Sequence, residues 1–458
     1  MPNDTTRKST KRTRRGFGPM VAASVGALLL AGCDLGVFDP GTIEGDDLFD
    51  PAAIQPLVIG AERNLGRAIS GGAAPHGGVF GAQAYLTDEI VHSGQWVGME
   101  EWSAAVVVND DVAETVTRWS HAQNARKTAE EAADIIRVIL ENEGGNPGAS
   151  VPIATSLAWA GFSNRLLGDS FCDAVIEGGP IEPVSAFYER AEQQFGEAIT
   201  IAQAANNTQL VRAAHAGRAQ VRMMLGNWSG AVSDAGQVPT DFVHDVRMSD
   251  NTTVENNGLH VAFMIENQAS LWGTPFAAFG TDLSGVQDTD GDPRLEYRSR
   301  TPAGDVLIGG DGRRETWRVL KYESRNSNHP IARGAEMRLI EAEALLVGGD
   351  VNGAMGKINE LRSFHGMANV SAASETEAWY VLQRERGIEL YAEGRRLSDL
   401  RRWASTPGYA DFDVVRVEAS ADQPTTADQV RNVLDNPMGE LCLPISRDER
   451  NSNPNIGN

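Results

Sequence analysis

Three short segments of this chain share one pattern, a large residue followed three positions later by alanine. They begin at Phe195, Trp228 and Val351, and the first two lie 33 positions apart, close to the tetratricopeptide period of about 34. A helical pattern precedes each segment, and Gly226 and Gly349 lie in turns just before the last two. Glycine permits a positive φ in such a turn, and alanine lets two antiparallel helices approach closely. The pattern predicts stacked helical hairpins, although unrelated hairpins that share a glycine turn would also produce it.

The remaining chain also has a mainly helical pattern. We predict helices over residues 51–63 and 116–141, with a glycine-rich break at Gly71 to Gly81 between them. Between residues 239 and 330 the helical spacing stops, and Gly, Asn, Asp and Thr surround scattered aromatic residues, a composition typical of loops and short strands. We therefore expect a mainly all-α fold over residues 51–458, a tetratricopeptide-like helical-hairpin scaffold with one long irregular insertion containing short strands.

The N-terminal segment predicts export and lipid attachment. Six Lys or Arg residues precede an apolar run, too short to span a bilayer, that ends Leu30-Ala31-Gly32-Cys33. These four residues resemble the lipobox of bacterial lipoproteins, in which the cysteine becomes the lipidated first residue. We expect residues 1–32 to be a signal peptide, Cys33 the lipid anchor and residues 33–50 a flexible tether. An ordinary signal peptide is the alternative, and Arg14-Arg15 leaves both the general and the twin-arginine export routes open.

The charge of the chain excludes one class of partner. Its formal net charge is −22, and removing residues 1–32 takes away six basic residues and Asp4, which leaves 34 basic against 61 acidic residues, or −27. Such a surface repels phosphate backbones and anionic lipids, so we expect no nucleic-acid partner. Besides Cys33 the chain has Cys172 and Cys442, which in an exported protein form either one disulfide or two buried thiols.

No catalytic motif stands out in the sequence. We find no HExxH, Walker-type GxxxxGK, GxSxG or GxGxxG, and the eight histidines are scattered singly. We expect no enzyme activity, cofactor or metal, although a glycosidase needs only two well-placed carboxylates and stays an open alternative. The alternating aspartates that start at Asp288 lack the glycine and glutamate of an EF-hand, which favours an acidic turn over a calcium site.

The C-terminal region, residues 333–458, resembles a known family. Residues 384–403 resemble the signature helix pair of the SusD/RagB family of outer-membrane nutrient-binding lipoproteins. Residues 337–366 are similar to that family's tetratricopeptide segment, and residues 443–456 to its closing motif, although the usual Gln-Asn ending is Gly457-Asn458 here. Together with the lipobox, the resemblance extends over nearly the whole chain.

The signature itself has a structural explanation. Glu385, Glu389 and Glu393 recur every four residues on one helical face, where we expect Arg386 and Arg396 to neutralise them. A paired network that locks two helices at a glycine turn explains this pattern without catalysis. The residues assigned this structural role are Arg384, Glu389, Glu393, Gly394, Arg395, Asp399, Leu400 and Trp403.

The resemblance implies a function at the cell surface. Proteins of this family lie on the outer membrane as lids over TonB-dependent, SusC-like transporters and capture oligosaccharides or peptides. Sugars need aromatic faces and planar polar groups, and the candidates, chosen by residue type and location, are Trp96, Trp102, Trp272, Tyr297 and Trp317. Core packing is the alternative for each of them. A lipid-anchored tetratricopeptide adaptor that binds a protein partner is the alternative function.

Overall fold

The computed structural model describes most of the chain after the predicted tether. The described residues are 47–70, 78–103, 113–285, 291–404, 415–420, 423–432 and 441–456. The expected signal peptide, the anchor Cys33 and the aspartates Asp288 and Asp290 lie outside them. None of the described helices has the length and apolar character needed to cross a membrane.

Helices dominate the described residues, which confirms the mainly α-helical prediction. In chain order they are α1 (Ile54–Ser70), α2 (Gly78–Leu86), α3 (Val97–Ser103), α4 (Ala113–Asn142), α5 (Val151–Ser170), α6 (Ser185–Ala204), α7 (Thr208–Met224), α8 (Trp228–Ala235), α9 (Gly258–His260), α10 (Gly334–Val347), α11 (Val351–Phe364), α12 (Glu375–Glu389), α13 (Arg396–Ala404) and α14 (Arg447–Ser452).

The strands are short and form small separate sheets. Antiparallel pairs join β1 (Val91–His92) to β5 (Ala269–Ser270), β2 (Asp173–Ala174) to β3 (Glu182–Pro183), β4 (Val243–Val246) to β9 (His329–Arg333), and β10 (Val415–Ser420) to β11 (Gln423–Asn432). A three-stranded sheet has β7 (Asp292–Arg298) between β6 (Gly280–Asp282), which is parallel to it, and β8 (Arg318–Val319), which is antiparallel. The β4–β9 pair brings together the two ends of the irregular insertion.

Three helix turns share one geometry. Asn206, Gly226 and Gly349 have φ values of 55°, 72° and 78°, which is the left-handed conformation that ends a helix. The residue after each of them caps the next helix by accepting a backbone N–H three positions on, at Leu210, Gly230 and Gly353. These turns produce the hairpins α6–α7, α7–α8 and α10–α11, which pack in succession.

The repeat holds for two of the three segments from which it was predicted. Trp228 and Val351 are the first residues of α8 and α11, but Phe195 lies in the middle of α6. Its ring fills the space that two glycines leave open, since a Cβ at Gly161 or Gly217 would lie 2.7 Å or 2.3 Å from the ring. Phe195 is therefore a core contact among α5, α6 and α7 and not a repeat position.

The N-terminal helices differ from the prediction at one point. The chain enters α1 through a short 3-10 turn, Pro51–Ala53, and α4 includes the whole predicted span 116–141. The predicted glycine break is too long, because α2 already begins at Gly78. Every residue of α2 is buried, so packing against its neighbours stabilises a helix that its glycines alone do not favour.

The C-terminal tail is fastened to the end of α5. A disulfide joins Cys172 to Cys442, with their Cα atoms 5.1 Å apart. Next to it, the Leu443 N–H donates to the Ser170 carbonyl at 2.7 Å and the Cys172 N–H donates to the Leu443 carbonyl at 2.9 Å. Covalent and hydrogen bonds thus connect two segments 270 residues apart.

Candidate functional site

The five aromatic candidates differ in exposure. Trp102 and Tyr297 are 0% and 1% exposed, Trp96 is 43% exposed, and Trp272 and Trp317 are half-buried. The Arg118 guanidinium covers the Trp102 ring at 4.5 Å from its centroid. A ring without an exposed face cannot stack against a sugar, so Trp102 is a core residue here, which corrects its assignment as a ligand contact.

Trp317 is held in a fixed orientation by the insertion itself. Its ring stacks on Tyr297 with centroids 5.0 Å apart and planes 4° apart. Its indole N–H donates to Glu315 Oε1 at 2.8 Å, and Arg300 pairs with the same oxygen at 2.6 Å. Tyr297 therefore acts as a buried support for Trp317 rather than as a direct ligand contact. Such orientation lowers the entropic cost of binding a ligand.

Backbone contacts connect Trp272 to Trp317. The N–H groups of both residues donate to the Ser270 hydroxyl, each at 3.0 Å. The Leu271 N–H also donates to the Trp317 carbonyl at 3.1 Å. Two tryptophans that are 45 positions apart in the sequence are thus attached to one serine side chain.

The segment that carries Trp96 also lies against the insertion. The Gln95 N–H donates to Gln268 Oε1 at 3.1 Å, and its side-chain amide donates to the Gly310 carbonyl at 2.8 Å. The structure therefore brings Trp96 to the segments that carry Trp272 and Trp317, and we call these three residues the tryptophan group. The polar residues that support the group, Glu315, Arg300 and Gln268, carry no motif by which the sequence alone would reveal them.

The signature carboxylates are paired, but not with the arginines that their spacing suggests. Glu385 contacts Arg294 and Arg362, both at 2.6 Å, and Glu389 contacts Arg333 at 2.8 Å. These cations come from the insertion, from β9 and from the end of α11. We call Glu385, Glu389 and Glu393 the carboxylate row. Glu393 lies in the turn beyond the end of α12 and not on its helical face, which corrects the predicted placement, and Lys321 and Arg333 neutralise it.

The predicted role of Arg386 and Arg396 in neutralising the row is wrong. Arg386 contacts Asp399 at 2.9 Å, and Arg396 contacts Asp88 at 2.7 Å. Residues one position apart on a helix point about 100° apart, so Arg386 faces away from Glu385. Gly394 does form the predicted turn, with φ of 68°. A Cβ at this position would lie 2.3 Å from the Phe80 ring, so glycine is required for space as well.

The electrostatics of the row favour a structural role. Burial raises the pKa of Glu389, but the hydrogen bond from His365 and the charge of Arg333 outweigh it and lower the pKa to about 2. Such a carboxylate stays ionised at neutral pH and is a poor proton donor. Asp292 and Arg294 of the insertion form an ion pair at 2.6 Å, and Arg294 also contacts Glu385 of the carboxylate row. This pair therefore attaches the insertion to α12. Within the described part of the chain, no group of three His, Cys, Asp or Glu residues could hold a metal ion.

Comparisons with known proteins agree with this architecture. Residues 311–458 match the sequence model of the SusD family. The chain carries a SusD-family segment over these C-terminal residues. A SusD superfamily protein from Bacteroides vulgatus superimposes on this chain with a TM-score of 0.63 at 16% identity, covering 89% of this chain and 98% of that one.

Two further solved structures have the same fold. A SusD-like protein from Bacteroides fragilis gives a TM-score of 0.64 at 14% identity, with 90% of this chain and 98% of its own chain covered. A SusD-like carbohydrate binding protein from Bacteroides vulgatus gives 0.61 at 15% identity, with 88% and 97% covered. No curated protein sequence matches the chain.

Proposed function

We propose that this protein captures a nutrient, an oligosaccharide or a peptide, at the cell surface. The observation that carries the proposal is the tryptophan group, in which three partly exposed indole rings lie on segments bonded to one another. Indole faces stack on the apolar faces of sugar rings, and the carboxylate and guanidinium groups beside Trp317 suit sugar hydroxyls. These features favour an oligosaccharide over a peptide.

We propose that the ligand is captured without chemical change. Glu315, the carboxylate beside Trp317, is held in an ion pair with Arg300 at 2.6 Å, which favours hydrogen bonding to a ligand over proton transfer. A likeness to a protein named as carbohydrate binding supports this part of the proposal.

We further propose that the protein is anchored to the outer membrane through Cys33 and delivers its ligand to a TonB-dependent, SusC-like transporter. The lipobox-like leader and the match of residues 311–458 to the SusD family support this part. Co-purification of a large β-barrel with the lipidated protein tests it, and a lipidated protein that is recovered alone from intact outer membranes would contradict it.

Calorimetric titration of a panel of neutral oligosaccharides and short peptides tests ligand capture. We expect Trp317→Ala to weaken oligosaccharide binding by about tenfold or more, because a stacking face is removed. Trp228→Ala serves as the matched control, since Trp228 lies on α8 outside the tryptophan group, and we expect it to leave the affinity unchanged. Equal affinities for Trp317→Ala and the wild type would show that the ligand does not bind at the tryptophan group.

A second candidate function has one observation in its favour. Trp228, Val232 and Leu345 line an apolar recess of about 640 Å³ between the hairpins α7–α8 and α10–α11. A recess of this size can accept side chains of a protein partner, as the adaptor hypothesis requires. Absence of binding across the whole ligand panel, together with loss of a co-purifying protein in Trp228→Ala, would favour the adaptor.

A further inference from the structure

A separate cavity lies where the insertion, the end of α11 and the signature helix α12 meet. Its volume is about 370 Å³, and Phe279, Asp292, Arg362, Arg384 and Ile388 are among the residues that line it. Ligand pockets in proteins have volumes of about 300–1,000 Å³, so this cavity suits a small molecule such as a single sugar ring. None of these residues belongs to the tryptophan group.

One wall of the cavity is apolar and held by hydrogen bonds. Phe279 and Ile388 line it together with Val370, whose N–H and carbonyl bond to the Asn359 side chain at 2.8 Å and 2.9 Å. The Phe279 carbonyl accepts the Asp292 N–H at 2.7 Å. The wall is thus formed before any ligand arrives, and it offers an aromatic ring to the apolar face of a sugar.

The polar side of the cavity carries a surplus of positive charge. Glu385 is fully buried, and three guanidinium groups surround it, Arg294 and Arg362 at 2.6 Å and Arg384 at 3.5 Å. Asp292, paired with Arg294, is the second carboxylate of this group. Glu389 also contacts Arg294, but Arg333 and His365 already face it at 2.8 Å and 2.9 Å.

Arg384 is the guanidinium with the weakest pairing in this group. Its side chain is 35% exposed, whereas those of Arg294 and Arg362 are 6% and 12% exposed. Its one contact among the ion pairs of the described residues is the 3.5 Å approach to a carboxylate that already has two closer partners. In a chain of net charge −22, a partly exposed, weakly paired arginine at a cavity is a local exception to the acidic average.

We propose that this cavity binds a monosaccharide-sized sugar acid, with the carboxylate of the ligand on Arg384 and the apolar face of its ring on Phe279 and Ile388. A guanidinium binds a carboxylate through charge-assisted hydrogen bonds with matched planar geometry. The apolar wall favours a ring over an extended peptide. The site shares no lining residue with the tryptophan group, so we expect its occupancy to be independent of the proposed oligosaccharide capture.

The test compares galacturonic acid with its neutral counterpart galactose by calorimetric titration of the purified protein. We expect galacturonic acid to bind at least tenfold more tightly than galactose, because a charge-assisted hydrogen bond is lost in the neutral sugar. Arg384→Gln should remove most of that difference. Arg325→Gln is the matched control, since it deletes the same charge from an exposed position outside the cavity, and it should keep the difference intact.

Arg384→Gln should fold normally, because its partner Glu385 keeps Arg294 and Arg362; a thermal unfolding midpoint close to that of the wild type checks this. Galacturonic acid should still bind to Trp317→Ala. Loss of binding in Trp317→Ala, equal affinity for the acid and the neutral sugar, or a preference for an acidic dipeptide over galacturonic acid would each overturn the proposal. None of these outcomes decides whether the tryptophan group captures an oligosaccharide, because the titration of neutral oligosaccharides tests that separately.

Discussion

At the scale of single residues, Arg386 is a cation buried among several carboxylates. It is completely buried, its Nε lies 2.9 Å from Asp399 Oδ2, and Glu336 and Glu343 lie at 3.8 Å and 3.9 Å. Replacing it with methionine fills the space but leaves buried carboxylates short of a cation. We expect Arg386→Met to lower the free energy of unfolding by about 3–5 kcal/mol, measured by urea unfolding at pH 7.

Lys127→Met is the control for that measurement. Lys127 and Glu131 form an ion pair at 3.6 Å in which both side chains are 58% exposed. An exposed pair contributes about 0.5 kcal/mol or less, so this variant should unfold almost like the wild type. A loss of similar size in both variants would show that burial does not determine the contribution of Arg386.

The same residues show how far single-residue prediction from the sequence extends. The spacing of Glu385 and Glu389 correctly predicted one helical face, because helical spacing is a local property, but it failed for Glu393, which lies beyond the end of α12. Their partners were not predictable, since Arg294 and Glu385 are 91 positions apart and meet only in the folded chain. Exposure is equally non-local, and for that reason Trp96 and Trp102 could not be told apart from the sequence.

At the scale of elements, the turn between α12 and α13 requires glycine for two reasons, its positive φ and its lack of space. Comparison with the turn at Gly349, where only the first reason applies, distinguishes the two. Gly394 has φ of 68° and a Cβ there would lie 2.3 Å from Phe80, whereas Gly349 has φ of 78° with no atom within 4 Å of the added Cβ. Positive φ alone costs about 1–2 kcal/mol for alanine, and overpacking adds about 1–3 kcal/mol.

We therefore expect Gly394→Ala to lower the free energy of unfolding by about 2–5 kcal/mol and Gly349→Ala by about 1–2 kcal/mol, both measured by urea unfolding. The difference between the two variants isolates the contact with Phe80. Equal losses would mean that Phe80 moves aside at little cost and that the signature turn is less tightly packed than the structure shows.

Hairpin turns were the part of the fold that the sequence predicted best. Gly226 and Gly349 identify two turns because few other residues adopt a positive φ easily. The equivalent turn before α7 uses Asn206, which the glycine pattern misses although asparagine tolerates the same conformation. The irregular insertion had no such local rule, so its composition predicted loops and short strands but not their pairing.

At the scale of the whole molecule, the disulfide connects the middle of the chain to its C-terminal tail. Cys172 and Cys442 close a loop of about 270 residues, and closing a long loop restricts the unfolded chain strongly. We expect Cys442→Ser to lower the free energy of unfolding by about 2–4 kcal/mol. A reducing agent should lower the thermal midpoint of the wild type to that of the variant and leave the variant unchanged; a variant that still responds to the reducing agent would contradict this.

The pH dependence of stability follows from buried carboxyl groups with opposite shifts. Burial raises the pKa of Glu89 to about 8, even though the Ala392 N–H bonds to it at 2.7 Å. In the unfolded chain this group releases its proton near pH 4.5, while the folded protein keeps it. Its contribution to stability is therefore present at low pH and is lost as the pH rises from about 4.5 to about 8.

The pKa of Glu389 is shifted in the opposite direction, so its effect on stability is also opposite. Its pKa of about 2 in the folded protein is below the ordinary value of 4.5, so its contribution to stability is present above pH 4.5 and is lost as the pH falls towards 2.

Glu89→Gln should remove the loss of stability on the alkaline side, so that the difference in free energy of unfolding between the variant and the wild type grows from pH 5 to pH 8 in favour of the variant. Urea unfolding at each pH measures this, with the exposed Glu131→Gln as control. A difference that stays constant across this range would mean that Glu89 is ionised inside the fold, with Arg396 and Lys321 as the cations that stabilise its charge.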